Sequence, residues 1–317
     1  MQNDIILVTG GSGFVGVHTI LQLLQQGYKV RTTVRSISKR EDIIAALQTG
    51  GIGNFDNLSF FEADLLSDKG WPEATAGVKY VLHVASPFPL AQPEDENELI
   101  IPARDGSLRV LRASLDAGVK RVVLTSSFAA VGYGETKPGY TWSEKDWTNE
   151  NAPIMPYIKS KTIAERAAWD FIKKEGGQME LSVINPVGIF GPKLGTIASA
   201  SIKGVIEPLI NGQISENPAF TFGIVDVRDV ASLHITAMTH PGAAGERFLA
   251  VSGHSKSFAD VAELITKERP GKAAAIKILQ PLAEGLYVSI SNEKATSVLG
   301  WHPRSPEEAI LASVDSL

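Results

Sequence analysis

The stretch from Ile5 to Gly16 reads IILVTGGSGFVG. Four apolar residues, Ile5 to Val8, run straight into glycines. Val15 to Gln26 then carries Ile20, Leu21, Leu23 and Leu24 at near-helical spacing until Gly27 stops it. The order is strand, tight turn, helix. Glycines at 10, 13 and 16 let the chain turn sharply, bring bare backbone N–H groups against an anion and let the helix pack close to the strand. The helix N-terminus adds a partial positive charge at the same place. A glycine triplet by itself also fits any flexible turn. The apolar strand before it and the amphipathic helix after it point instead to a dinucleotide-binding turn, with Thr9, Gly10, Ser12, Gly13, Phe14, Val15 and Gly16 around a pyrophosphate.

Outward from that turn the pattern repeats. Lys29 to Val34, Leu58 to Phe61 and Tyr80 to Ala85 read as strands, the last apolar on both faces, as in a parallel sheet covered on both sides. Asn97 to Ala117 reads as a long helix, Arg121 to Ser126 as a strand, and Pro156 to Lys174 as an amphipathic helix ended by Gly176 and Gly177. Leu181 to Asn185 is a further strand, closed by Pro186. This alternation predicts an α/β fold with a doubly wound parallel sheet, the Rossmann fold. After residue 185, glycines and prolines such as Gly188, Gly191, Pro192, Gly204 and Pro208 break the chain into short pieces. The expected division is a dinucleotide-binding domain over 1–185, to which 222–244 returns as strand and helix, and a smaller substrate-binding lobe over 186–221 and 245–317.

The end of the second strand bears on which dinucleotide binds. An NAD site places Asp or Glu there for the ribose 2′-hydroxyl. Here no acid occurs between Gly27 and Glu41, while Arg31, Arg35, Lys39 and Arg40 crowd the segment. A guanidinium at that place pairs with a 2′-phosphate. Arg35 and Lys39 are therefore expected to select NADP(H).

Composition narrows the remaining classes. At 317 residues, 44% hydrophobic and 21% charged, the chain is an ordinary globular protein rather than a disordered or fibrous one. A net charge of -5 without a long basic block leaves no footprint for nucleic acid or an anionic membrane. The absence of cysteine removes disulfides, thiolate metal sites and cysteine nucleophiles. His18, His83, His234, His240, His254 and His302 lack metal-ligand spacing and read as structural or surface residues, so no metal is expected. The apolar run after Asp4 is too short for a signal peptide, and no stretch approaches the roughly 18 apolar residues of a membrane span. A cytoplasmic protein is the expectation.

Two Tyr-x-x-x-Lys spacings occur, at Tyr133/Lys137 and Tyr157/Lys161. The first lies in GYGETKPGY, where glycines and proline oppose a helix, so the pair has no reason to converge. The second opens an amphipathic helix, where residues four apart share a face. A lysine ammonium near a phenol favours the phenolate and draws a reference pKa of about 10 toward neutrality, making Tyr157 a usable acid/base. Thr125-Ser126-Ser127 follows an apolar strand, at the edge where open α/β sheets bind ligands, and its hydroxyls can orient a carbonyl.

Taken in order, TGxxGxxG, a serine-bearing strand end and YxxxK resemble the extended short-chain dehydrogenase/reductase family. TVR at Thr33 to Arg35, ADL at Ala63 to Leu65, HVASP at His83 to Pro87, TSS at Thr125 to Ser127 and SKTIAE at Ser160 to Glu165 are similar to its dihydroflavonol reductase, cinnamoyl-CoA reductase and bacterial aldehyde reductase branch. The resemblance implies NADPH-dependent reduction of a carbonyl to an alcohol. Ser127 would bind the carbonyl, Tyr157 would protonate its oxygen, and Lys161 would hold the nicotinamide ribose. It also implies Asp64 and Leu65 beside the adenine, Val84, Ala85 and Ser86 along the middle of the cofactor, Pro186 to Ile189 beside the nicotinamide and Ser201 near the phosphates. Phe88, Tyr133, Ile202 and Phe222 are the expected substrate-pocket residues. The segment FAAVGYGETKPGYTW departs from the substrate loop of the plant flavonoid enzymes.

Two other functions share the fold. A nucleotide-sugar epimerase or dehydratase would keep a tightly bound NAD, against which Arg35 in place of an acid argues. A redox-sensing binding protein would not need Tyr157 and Lys161. A small-molecule carbonyl substrate and a homodimer complete the expectations.

Overall fold

A computed structural model describes residues 4–87, 93–134, 137 and 139–317. The first half of the chain supplies β1 (Ile5–Thr9), α1 (Phe14–Gln25), β2 (Lys29–Val34), α2 (Arg40–Thr49), β3 (Leu58–Glu62), α3 (Trp71–Thr75) and β4 (Tyr80–His83). Then come α4 (Asn97–Asp116), β5 (Arg121–Thr125), the short β6 (Thr141–Trp142), α5 (Pro156–Glu175) and β7 (Glu180–Pro186). The remainder holds β8 (Gly188–Phe190), α6 (Glu207–Ile210), β9 (Phe222–Asp226), α7 (Val227–Thr239), β10 (Arg247–Ala250) and β11 (Ser252–Lys256). It ends with α8 (Phe258–Glu268), β12 (Ser289–Ile290), α9 (Glu293–Leu299) and α10 (Pro306–Asp315).

Seven strands pair in parallel in the order β10-β7-β5-β4-β1-β2-β3. Side chains alternate across this sheet, so Ile6 and Val8 enter one core with α1 and α7, while Leu7 enters the other with α4 and α5. Both faces are thereby covered, which is why the central strands β1, β4 and β5 are largely apolar and buried. The chain steps outward from β1 to β3 and then crosses to β4 on the other side. The point of reversal, between β1 and β4, opens a crevice beyond their carboxyl ends, the usual ligand site of such sheets.

The expected return of Phe222–Met238 to the sheet holds for its helix only. α7 packs on the main sheet, but β9 joins a separate three-stranded sheet, β11-β9-β8. The seventh strand of the main sheet is β10, inside the segment assigned to the lobe, and it pairs Arg247 with Val183 through Ala250 with Pro186. The physical reason lies in β8, which continues from β7 after Val187 and offers its edge to β9, leaving the outer edge of β7 for β10. Phe190, Phe222, Phe220 and Phe258 pack together beside this small sheet. Among the described residues no helix is long and apolar enough to cross a membrane.

Candidate active site

β1 ends in a turn that only glycine allows. Gly10 has φ +71°, and a Cβ on Gly16 would sit 2.3 Å from the Gly10 carbonyl oxygen. α1 therefore starts directly against the turn, with Gly13 as an N-cap that makes no side-chain cap and with no acid in the first turn. An uncapped helix N-terminus beside glycines fits a pyrophosphate. Ser12 and Gly13 are exposed there, whereas Phe14, Val15 and Gly16 are buried. Thr9 does something else. Its hydroxyl is fully buried, 2.8 Å from His83 Nδ1, and accepts a 3.0 Å hydrogen bond from Ala85 N–H, so it ties β1 to the segment after β4.

At the end of β2 the basic residues divide their roles. Arg31 donates to the Glu73, Ala74 and Ala76 carbonyls and lies over the Phe61 ring, so it finishes α3. Arg40 lies over Phe60, and Lys39 pairs with Asp42 at 2.9 Å. Arg35 is exposed at the carboxyl end of β2. One acid reaches this edge from elsewhere: Glu62, at the end of β3, accepts a 2.9 Å hydrogen bond from Ile37 N–H. Asp64 accepts from Leu66 N–H and is half-buried with Leu65 at the foot of the same edge.

Ser127, Tyr157 and Lys161 converge beyond β5. Ser127 caps a short 3-10 turn, its Oγ accepting from Ala129 N–H at 3.1 Å, which leaves its own O–H to donate. It is hydrogen-bonded to the Tyr157 phenol. Tyr157 and Lys161 occupy the first two turns of α5, whose N-terminus Pro156 preorganises. Lys161 Nζ lies 5.8 Å from the Tyr157 ring centroid and donates to Ser86 Oγ at 2.8 Å. Burial pushes the Tyr157 phenol up to about 12, against the pull of the Ser127 hydrogen bond. Burial likewise holds Lys161 down to about 8, with Glu165 opposing it. The expected descent of the phenol toward neutrality is thus replaced by its opposite, because desolvation outweighs the Ser127 hydrogen bond.

The other expected residues scatter around this cluster. Val84, Ala85 and Ser86 are half-buried after β4, beside the glycine turn: a Cβ on Gly10 would meet Ala85 Cα at 2.9 Å. Pro186 closes β7, Ile189 lies in β8, and Ser201 Oγ comes near Gly188. Tyr133 is partly exposed, its ring edge-on to Phe128 at 5.1 Å, and burial of its phenol pushes the pKa up. Lys137, its spacing partner, lies over Tyr140 and Trp142, so that pair does not converge. Phe222 stacks on Phe190 in the small sheet. Ile202 has no exposed surface and packs in the main core at the start of a π-turn. Phe88 lies outside the described residues. His18, His83 and His234 are buried, with partners Pro192, Thr9 and Thr125. Sequence reasoning missed the buried set behind Lys161, formed by Glu165, Asn185 and Arg247.

A nucleotide-cradling turn beside a Ser-Tyr-Lys cluster on a doubly wound sheet defines a class of dinucleotide-dependent enzymes. A family model, the NAD dependent epimerase/dehydratase family, matches residues 6–250, and the chain belongs to this family of extended short-chain dehydrogenases/reductases. A putative NADPH-dependent methylglyoxal reductase of Candida albicans is 33% identical over 323 aligned residues, covering 93% of each chain. Cinnamoyl-CoA reductase of Medicago truncatula is 34% identical over 325 residues, covering 99% of this chain and 95% of the relative. The crystal structure of yeast methylglyoxal/isovaleraldehyde reductase with NADPH matches at a TM-score of 0.85 and 27% identity, over 98% of this chain and 97% of that one.

Proposed function

We propose that this protein uses NADPH to reduce a small aldehyde or ketone to the alcohol. The observation that carries the reading is the hydrogen-bonded Ser127–Tyr157 pair beside Lys161, at the sheet edge that also holds the glycine turn. Bound NADPH supplies the hydride. The Ser127 O–H donates to the substrate carbonyl and orients it, while the Tyr157 phenol, held protonated by burial, delivers its proton to the oxygen. A developing alkoxide is far more basic than a phenolate, so the transfer runs downhill even from a phenol near 12. Lys161, fixed by Ser86, holds the ribose hydroxyls and places a positive charge near the phenolate that remains.

The turn at Thr9 to Gly16, with Asp64, Leu65, Val84 to Ser86, Pro186, Ile189 and Ser201, binds the dinucleotide, and Arg35 with Lys39 takes the 2′-phosphate. Phe222, from the lobe built on β8, β9 and β11, and Tyr133, from the segment after β5, face the substrate. The NADPH dependence named for the Candida albicans reductase, and the NADPH complex of the yeast enzyme, support this reading over an epimerase with resident NAD. The reading extends to a cytoplasmic location and a homodimer, tested by fractionation and sedimentation.

The deciding experiment follows NADPH absorbance against a panel of aldehydes, ketones, dihydroflavonols and a cinnamoyl thioester. Tyr157→Phe is expected to lower kcat by about 10²- to 10⁴-fold with NADPH affinity retained. Undiminished turnover in that variant would overturn the mechanism.

A further inference from the structure

Beside Lys161 a small, partly open pocket lies between α4, β5, α5 and the segment after β4. The polar side chains lining it are Ser86, Ser107, Thr125, Ser126, Lys161 and Glu165, and of these only Lys161 and Glu165 carry charge. Glu165 sits one helical turn beyond Lys161 on α5.

Four hydrogen bonds saturate the buried Glu165 carboxylate. Oε1 accepts from Arg247 Nε at 2.6 Å and Trp169 Nε1 at 3.2 Å, and Oε2 from Ser126 Oγ at 2.6 Å and Asn185 Nδ2 at 2.7 Å. The same Asn185 amide donates to the Ser127 carbonyl at 3.1 Å, so the carboxylate is one link from the backbone that aims the Ser127 hydroxyl. Arg247 is held in turn by the Glu144 and Asp146 carbonyls and lies 3.8 Å over the Trp147 ring. A buried ion pair of this kind rarely adds stability over apolar residues of similar volume, because desolvation costs about as much as the attraction returns. Stability alone does not account for its place behind the active-site helix.

We propose that Glu165 is the buried counter-ion of Lys161 and a positioning residue for Ser127, with Arg247 and Asn185 fixing its orientation. The proposal rests on the reductase reading. The other groups facing Lys161 do not compete for that role. His83 on β4 is held neutral by burial, with the Lys161 charge adding to the effect; Tyr157 is a protonated phenol; and the Arg247 charge on β10 is engaged by Glu165 itself. Glu165 is thus the acid that opposes the loss of the Lys161 proton, which burial favours. Removing its charge lets the ammonium deprotonate at lower pH and brings the alkaline decline of kcat toward neutrality.

The test compares kcat against pH, with NADPH and a substrate from the panel, for wild type, Glu165→Gln, Glu165→Gln/Arg247→Met and Glu165→Asp, with melting temperatures alongside. In Glu165→Gln the alkaline limb is expected to move by about one pH unit or more toward acid. The double variant, which removes both members of the Glu165–Arg247 ion pair, is expected to regain melting temperature but not the limb. Glu165→Asp keeps the charge but draws it back from Lys161 and Asn185, so its limb moves toward acid by less than in Glu165→Gln and kcat falls several-fold. A wild-type limb in either folded Gln variant overturns the counter-ion. Wild-type kcat in Glu165→Asp overturns the positioning role and decides the matter if the Gln variants do not fold. Absence of turnover in the wild type with every carbonyl would count against the reductase reading instead. NMR titration of isotope-labelled lysine in wild type and Glu165→Asp then still decides the counter-ion: an unaltered Lys161 titration in the Asp variant, where the charge is drawn back, overturns it.

Discussion

Lys161 Nζ donates to the Ser86 hydroxyl at 2.8 Å, across the site from α5 to the segment after β4. The lysine is therefore held from the strand side, at 5.8 Å from the Tyr157 ring centroid. A hydrogen bond to a buried charged group contributes about 1.5–3 kcal/mol, and its loss leaves the ammonium short of a partner. Ser86→Ala is expected to lower kcat/KM for NADPH by about tenfold or more with the fold intact. Steady-state kinetics with a matched melting curve checks it; a change under about twofold would show that Ser86 does not hold Lys161 during turnover.

The glycines of the first turn separate folding from binding. A Cβ at Gly16 would lie 2.3 Å from the Gly10 carbonyl oxygen, so Gly16→Ala must open the turn and is expected to lose both melting temperature and NADPH affinity. At Gly13 the same atom would lie 3.3 Å from that oxygen, a contact that a small shift relieves. Gly13→Ala should therefore keep the fold while its methyl group intrudes on the pyrophosphate. NADPH fluorescence titrations beside thermal melts distinguish the two. Equal affinity in Gly13→Ala and wild type would place the pyrophosphate elsewhere.

What could be read in advance was local. Ile5 to Val8, the glycine turn and the periodic faces of α1, α4 and α5 are written in neighbouring residues, and Tyr157 and Lys161 share one helical face. What escaped depends on partners far along the chain. FGIVD and RFLA are both short apolar runs, and nothing within them shows that the second takes the sheet edge while the first pairs with β8. Glu165 reads as one polar residue on an amphipathic helix; its burial depends on Arg247, 82 residues later. The pKa of Tyr157 escaped for a related reason, since spacing reveals a lysine one turn away but not the desolvation that raises the phenol.

Cofactor choice is expected to rest on Arg35. It is exposed at the carboxyl end of β2, while Arg31 and Arg40 are engaged with carbonyls and rings. A guanidinium–phosphate contact is charge-assisted and contributes about 1.5–3 kcal/mol. Arg35→Asp should lower the NADPH/NADH ratio of kcat/KM by about 10- to 100-fold, mainly through KM for NADPH. Kinetics with both nucleotides measures this, and an unaltered ratio would remove Arg35 from the 2′-phosphate site.

Acid is expected to weaken the fold through three buried imidazoles. Burial holds His18 near 4, against its hydrogen bond to the Pro192 carbonyl; it holds His83 near 3, with the Lys161 charge adding to it; and it holds His234 near 4, against the Val230 carbonyl. The unfolded chain binds these protons first, at the ordinary value of 6.5. Their contribution is therefore present above pH 6.5 and is lost as pH falls toward 4. At about 1.4 kcal/mol per pH unit for each group, the three together give a slope of up to about 4 kcal/mol per unit within that window. Urea midpoints at pH 7, 6 and 5 measure the slope. His18→Gln, which leaves an amide donor for the Pro192 carbonyl and nothing to titrate, should reduce it by about 1.4 kcal/mol per unit. If the variant and wild type lose stability in parallel, His18 is not among the groups whose protonation unfolds the protein.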